Sequence, residues 1–291
     1  MGETGMEERV FLQLGLRFPQ LLLPIARQEK DTSEYREAVL RGKPVLREPA
    51  FRGSPEDRLE SVQTPVGRVD VLILGEREDF VHALRALAYR CEPAEIPDAV
   101  GASTVRGLIN WEKIRAHRQR YLDAGGTDWG AEFKRFTAEK KNYLDTLILL
   151  SSGPYSALPA QALGLTEEAW REKSLMIRKY HELTHFVSRS LYPGNIDAIR
   201  DEVIADRVGL LAAFGRYDPE LARQFLGIRD GSFHDGGRLS HYAEGERLPE
   251  AVKAAAKLIE RSAEEEMGAG DAPIFDRMLR ILHQYCAEAD A

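Results

Sequence analysis

Apolar positions recur along the chain with two different periods. The run Val-Asp-Val-Leu-Ile-Leu-Gly over 69–75 has the composition of a buried strand, entered through the turn Pro65-Val66-Gly67. Phe80, Leu84 and Leu87 then share one face of a helix expected over 80–89. A second strand is expected over 103–110. Helices follow over 111–122 and 129–140, parted by Gly125-Gly126. A third strand over 145–150 stops at Ser151-Ser152-Gly153-Pro154. From Leu165 onward the pattern is almost wholly helical. Thr166 offers a capping hydroxyl, and Glu167 and Glu168 set negative charge against the positive end of the helix dipole. That helix runs to about Leu191, where Tyr192-Pro193-Gly194-Asn195 ends it, and the next spans about 196–214. Further helices are expected near 218–228, 248–266 and 272–287, with 229–237 a loop rich in glycine and polar groups. The expectation is an α+β protein. A mixed lobe with a small sheet and helices covers 1–164, and a mainly helical lobe covers 165–291.

Composition narrows the function classes. Of 291 residues, 43% are apolar and 30% charged, with a formal net charge of −7 from intermixed acidic and basic residues. That balance argues against a nucleic-acid partner. The basic run Arg115-Ala116-His117-Arg118-Gln119-Arg120 reads as a solvated helix face. The two cysteines, Cys91 and Cys286, are far apart and make no disulfide framework, which fits a reducing compartment. Glu3, Glu7, Glu8 and Arg9 precede the apolar stretch 10–25, so the basic start of a secretory signal is missing. Arg17, Pro19 and Gln20 interrupt that stretch, which argues against a membrane span. A cytoplasmic location and no membrane partner are the expectations.

The segment that carries chemistry is His181-Glu182-Leu183-Thr184-His185. Two histidines four apart on a helix lie one turn apart on one face, close enough to share a metal. Glu182 sits at the edge of that face, placed to activate a water on the metal without binding it. On the following helix Glu202 and Asp206 are again four apart. If the two helices fold back about Pro193-Gly194, Glu202 comes level with His185 and Asp206 with His181. One carboxylate can then complete the metal site while the other accepts a hydrogen bond from a ligand imidazole. Asp197, Asp201 and Asp206 compete with Glu202 for the third ligand position, and a salt bridge to Arg200 or Arg207 competes for Glu202 itself. A di-iron site would need a second Glu-x-x-His unit from another helix, and only the imitation Asp79 to His82 exists, so zinc is the expected ion.

These residues resemble the gluzincin metallopeptidases, the thermolysin-like enzymes, whose pattern is HExxH followed on the next helix by a glutamate ligand and, four residues later, an aspartate. Here that pattern reads His181, Glu182, His185, Glu202 and Asp206. The metzincin variant is excluded, because Ser188 and Leu191 stand where it needs glycine and a third histidine. The resemblance implies a zincin-like fold, peptide or protein substrates, and Zn2+ held by His181, His185 and Glu202, with Glu182 as general base and Asp206 behind a ligand. It also implies a downstream histidine or tyrosine that stabilises the oxyanion. His234 and His241 are the candidates, with Tyr242 beside the latter and Tyr155 as a further one. A strand near 145–150 would line the cleft and pair with extended substrate, or serve as a plain core strand. A zinc hydrolase acting on a non-peptide substrate and a non-catalytic protein with a structural zinc are the alternatives.

Overall fold

The third strand candidate is central and is buried from its fourth residue onward. In the computed structural model, which describes residues 4–47, 50–194, 197–234, 237–267 and 271–287, it is β4 (Leu144–Ser151), with Leu147 to Leu150 all at 1% exposure or less. β1 (Arg58–Thr64) and β2 (Gly67–Leu74) form a hairpin through Pro65-Val66, and β3 (Ala102–Ile109) completes a four-stranded sheet of order β1-β2-β4-β3. β2 runs parallel to β4, with Val71 opposite Ile148, and β3 runs antiparallel to it, with Thr104 opposite Ile148. The register of β3 shifts between Arg106 and Leu108, where Gly107 takes φ +74°, the left-handed turn of a bulge. Because β4 is paired on both sides, it has no free backbone edge to offer an extended peptide, and the core-strand alternative holds.

Two compact units divide the chain. One comprises Met1–Val62 with Val69–Ser151, the other Gln63–Arg68 with Ser152–Ala291. The segment 152–164, which the sequence groups with the first lobe, therefore goes with the second unit. In the first unit α1 (Thr4–Arg17), a short α2 (Ser33–Tyr35) running into a wider turn over Arg36–Leu40, and α3 (Arg77–Ala88) surround part of the sheet. Phe80, Leu84 and Leu87 of α3 pack with Leu72, Leu74, Leu147 and Leu149 of the strands and with Phe11, Leu14 and Phe18. α4 (Trp111–Asp123) is capped by Asn110, whose side chain accepts the Lys113 amide at 3.1 Å, and α5 (Trp129–Thr137) is capped by Asp128.

The second unit is nearly all helix. α6 (Glu167–Leu191) starts at Thr166, whose hydroxyl accepts the Ala169 amide at 3.2 Å. α7 (Ala198–Phe214) is capped by Asp197, and α8 (Pro219–Leu226) by Asp218 with proline at its first position. Asn195 and Ile196, expected at the turn and the next helix start, lie outside the described residues, as does the side chain of Cys286. α9 (Leu248–Glu266) and α10 (Ile274–Ala287) follow, and α6, α9 and α10 all pack on α7, which is buried continuously from Asp201 to Leu211. Within the loop expected over 229–237, Asp230 and Gly231 both take positive φ (49° and 71°) between β5 (Ile228–Arg229) and β6 (Ser232–Phe233). That is the type I′ hairpin turn for which Asp-Gly is a strong signal. The protein is thus mixed α+β, with a small mixed sheet followed by a mainly helical unit. Among the described residues no helix is long and apolar enough to cross a membrane.

Candidate metal centre

The geometry of the site begins with a glycine. At Gly209 on α7 an added Cβ would lie 2.9 Å from the Ile177 carbonyl oxygen and 3.0 Å from Ile177 Cγ2, so the missing side chain is what lets α7 approach α6. Ile177 is one turn before His181, and Gly209 follows Asp206 by three residues, so the close approach falls beside the two histidines.

Glu202 Oε1 stands 3.2 Å from His185 Nε2, Glu202 Oε2 stands 3.5 Å from His181 Nε2, and the two Nε2 atoms are 3.0 Å apart. The three ligand atoms lie within 4.8 Å of one another on residues only 6%, 4% and 6% exposed (His181, His185 and Glu202), a buried group that could hold a metal ion. Behind it, His181 Nδ1 is 2.9 Å from Asp206 Oδ1, and His185 Nδ1 is 2.8 Å from Asp201 Oδ2. Asp201, a competing ligand on sequence grounds, therefore orients His185 instead, and its other oxygen accepts from Ser188 Oγ at 3.0 Å. Asp197 is spent on capping α7. Arg207 pairs with Glu265 and Glu266 of α9 at 2.6 and 2.7 Å, and Arg200 lies 3.5 Å from Asp197, so neither takes Glu202.

The proton inventory follows from these partners. A carboxylate only accepts, so each Nδ1 donates, and the remaining Nε2 lone pairs of both rings converge with a carboxylate. Two lone pairs at 3.0 Å repel unless a cation, a proton or a metal, lies among them. Burial disfavours the charged form of His185, yet the hydrogen bonds to Asp201 and Glu202 carry its pKa up to about 10. Burial likewise opposes ionisation of Glu202, but His181, His185 and Arg238 hold its carboxyl below the usual range. Even so, Glu202 Oε2 is buried and has no hydrogen-bond partner among the described residues. An orphaned carboxylate oxygen costs free energy, and a metal ion is the kind of partner that removes that cost.

Three further side chains surround the cluster. Arg238 Nη2 donates to Asp206 Oδ2, Arg238 Nη1 donates to the Tyr155 hydroxyl at 2.9 Å, and Nη1 lies 3.6 Å from Glu202 Oε2. Burial opposes the charge on Asp206, and Arg238 and His181 together keep its carboxyl ionised, below the ordinary range. Tyr155, only 5% exposed, donates to Asp206 Oδ1 at 2.7 Å. Tyr242 is half-buried near Glu202. Burial, with the Glu202 charge added, raises its pKa above that of an ordinary tyrosine.

Glu182 is buried on α6 beside His181, at 9% exposure the most solvent-accessible of the motif's four polar residues. The structure does not bring His234 or His241 to the cluster: both are exposed, and His241 packs against Tyr242 with ring centroids 6.3 Å apart. Arg238 was not foreseen. Its placement depends on the chain doubling back after α8, where Gly227 (φ +78°) and Gly237 meet so closely that a Cβ on Gly237 would lie 2.4 Å from Gly227 Cα. The Asp230-Gly231 turn was the readable signal for that return.

No curated protein and no solved structure matches the chain. A family model does match, over residues 2–277, and the chain accordingly belongs to the group described as "Family of unknown function (DUF7005)".

Proposed function

We propose that the chain is a zinc-dependent metallopeptidase of gluzincin type, with His181, His185 and Glu202 as the metal ligands and a zincin-like arrangement of its helix pair. The observation that carries this reading is the convergence of two Nε2 atoms and one carboxylate, each imidazole held from behind by its own aspartate. Ligand atoms around a tetrahedral zinc with bonds of about 2.1 Å stand about 3.4 Å apart. The observed separations of 3.0, 3.2 and 3.5 Å are near that value and need shifts of only a few tenths of an ångström. Among the described residues no fourth histidine, cysteine or carboxylate joins the group, which favours a site with an open position over a closed structural one.

Zinc in such a site makes water more acidic and polarises a carbonyl. The chain's own residues do the rest. Glu182, about 100° around the helix from His181, takes the proton from the attacking water and returns it to the leaving nitrogen. Asp206 and Asp201 fix the tautomer and plane of the two imidazoles. Tyr242, half-buried near Glu202, is better placed than the exposed His234 or His241 to donate to the developing oxyanion.

The test is Glu182→Gln assayed on peptide, amide and ester libraries. Hydrolysis of peptides should fall by a factor of about 100 or more, while zinc stays bound. A fully active variant overturns the mechanism, and turnover of esters or non-peptide amides alone moves the substrate to another class.

A further inference from the structure

Tyr155 reaches the cluster from the turn that precedes α6, and the local backbone is built around that placement. Ser156 and Ala157, at φ 50° and 54°, sit one after the other in the left-handed region, a strained pair for residues that carry a Cβ. Ties to α6 hold the turn in place. The Tyr155 amide donates to Ser174 Oγ at 3.0 Å, Arg178 Nη2 donates to the Pro154 carbonyl at 2.6 Å, and Arg178 Nη1 donates to that of Gly153. The ring lies against Phe225, with centroids 4.7 Å apart, and the Arg178 and Arg238 guanidinium groups stand 5.6 and 4.9 Å from its centre.

The hydroxyl at the end of this scaffold sits on the Nδ1 side of His181, away from the converging Nε2 atoms. It accepts from Arg238 at 2.9 Å and donates at 2.7 Å to Asp206 Oδ1, the oxygen that His181 Nδ1 approaches at 2.9 Å. Its own distance to His181 Nδ1 is 3.1 Å.

We infer that Tyr155 is a positioning residue of the metal centre, acting on His181 through Asp206 and on Glu202 through Arg238. The inference rests on the metal reading proposed above. Two effects of the hydroxyl point the same way. It fixes the direction of Asp206 Oδ1, and with it the plane of His181 and the aim of its Nε2. It also occupies Arg238 Nη1, which lies 3.6 Å from the carboxylate oxygen Glu202 Oε2. A guanidinium released from Tyr155 turns to that oxygen and competes with the metal for a ligand.

Tyr155→Phe keeps the ring and removes only the hydroxyl. The experiment compares this variant with wild type as full chains, measuring zinc affinity by competition with a chromophoric chelator and recording the visible absorption of the cobalt-loaded protein. The expected result is zinc affinity weaker by about tenfold together with a shifted cobalt ligand-field spectrum, while the metal-free melting temperature changes little. Wild-type affinity and spectrum overturn the inference. So does weaker affinity that follows lower metal-free stability with an unshifted spectrum, since that is a purely structural role. A wild-type chain that takes up neither metal removes the metal reading and this inference together, a result distinguishable from failure of the variant alone.

Discussion

Gly209→Ala sets helix propensity against packing, and the structure decides which wins. Alanine in a helix interior is favoured over glycine by about 1 kcal/mol, so propensity alone predicts a more stable protein. The new Cβ, however, would stand 2.9 Å from the Ile177 carbonyl oxygen, where ordinary contact begins at 3.4 Å, so 0.5 Å must be found. The carbonyl cannot turn aside, because in a continuous α-helix it accepts the amide of the residue four on, His181. The helices must part instead, and overpacking of this kind costs about 1–3 kcal/mol. The net result is a loss of up to about 2 kcal/mol, which lowers the melting temperature by a few degrees for a unit of this size. The same 0.5 Å, applied to the 2.9 Å bond between His181 and Asp206, stretches it to 3.4 Å, beyond a good hydrogen bond. Zinc affinity should therefore drop by about tenfold. Urea denaturation of the metal-free protein and a chelator competition read the two effects. A variant stabilised by about 1 kcal/mol with unchanged zinc affinity refutes the account of how α6 and α7 meet.

Other outcomes follow from the buried titratable groups. In the metal-free protein the folded pKa of His185 lies near 10, above its ordinary 6.5. Its contribution to stability is therefore complete below pH 6.5 and is lost as pH rises toward 10. Denaturation midpoints should fall across that window in wild type and not in His185→Gln; parallel profiles contradict the assignment. Zinc must displace that proton, so uptake near neutral pH should release about one proton per ion, measurable in buffers of different ionisation enthalpy. Cys91 is fully buried, and burial, with the nearby Glu29 and Glu92, pushes its thiol up to about 12. Its peptide should stay unmodified by iodoacetamide at pH 8 until the chain unfolds, and rapid labelling of the native protein would show the core around it to be open.

The helix pair was legible because its signals are local. Thr166 caps α6, residues near Pro193-Gly194 end it, and 3.6-residue spacing alone puts His181 with His185 and Glu202 with Asp206 on shared faces. The strands β2, β3 and β4 were legible for a similar reason, as short apolar runs between turn residues. β1 was not: an edge strand reading Arg-Leu-Glu-Ser-Val-Gln-Thr is exposed or half exposed up to its last residue, and its pairing comes from β2 rather than from any apolar run of its own. The side chains that brace the candidate metal ligands were the least readable. Arg238 and Tyr155 reach Asp206 from 32 and 51 residues away, through a glycine-to-glycine contact in one case and two left-handed residues in the other. Such contacts exist only once the chain has folded. Asp201 was visible as a carboxylate next to Glu202, but whether it would join the candidate metal cluster or bond to an imidazole depended on the rotation of α7 against α6.

The most direct test of the account is the metal content of the purified protein, measured by elemental mass spectrometry for wild type beside His185→Ala. The account predicts about one zinc per chain in wild type, lost in the variant. Wild-type protein that holds no metal after zinc is offered and the free ion removed would contradict it.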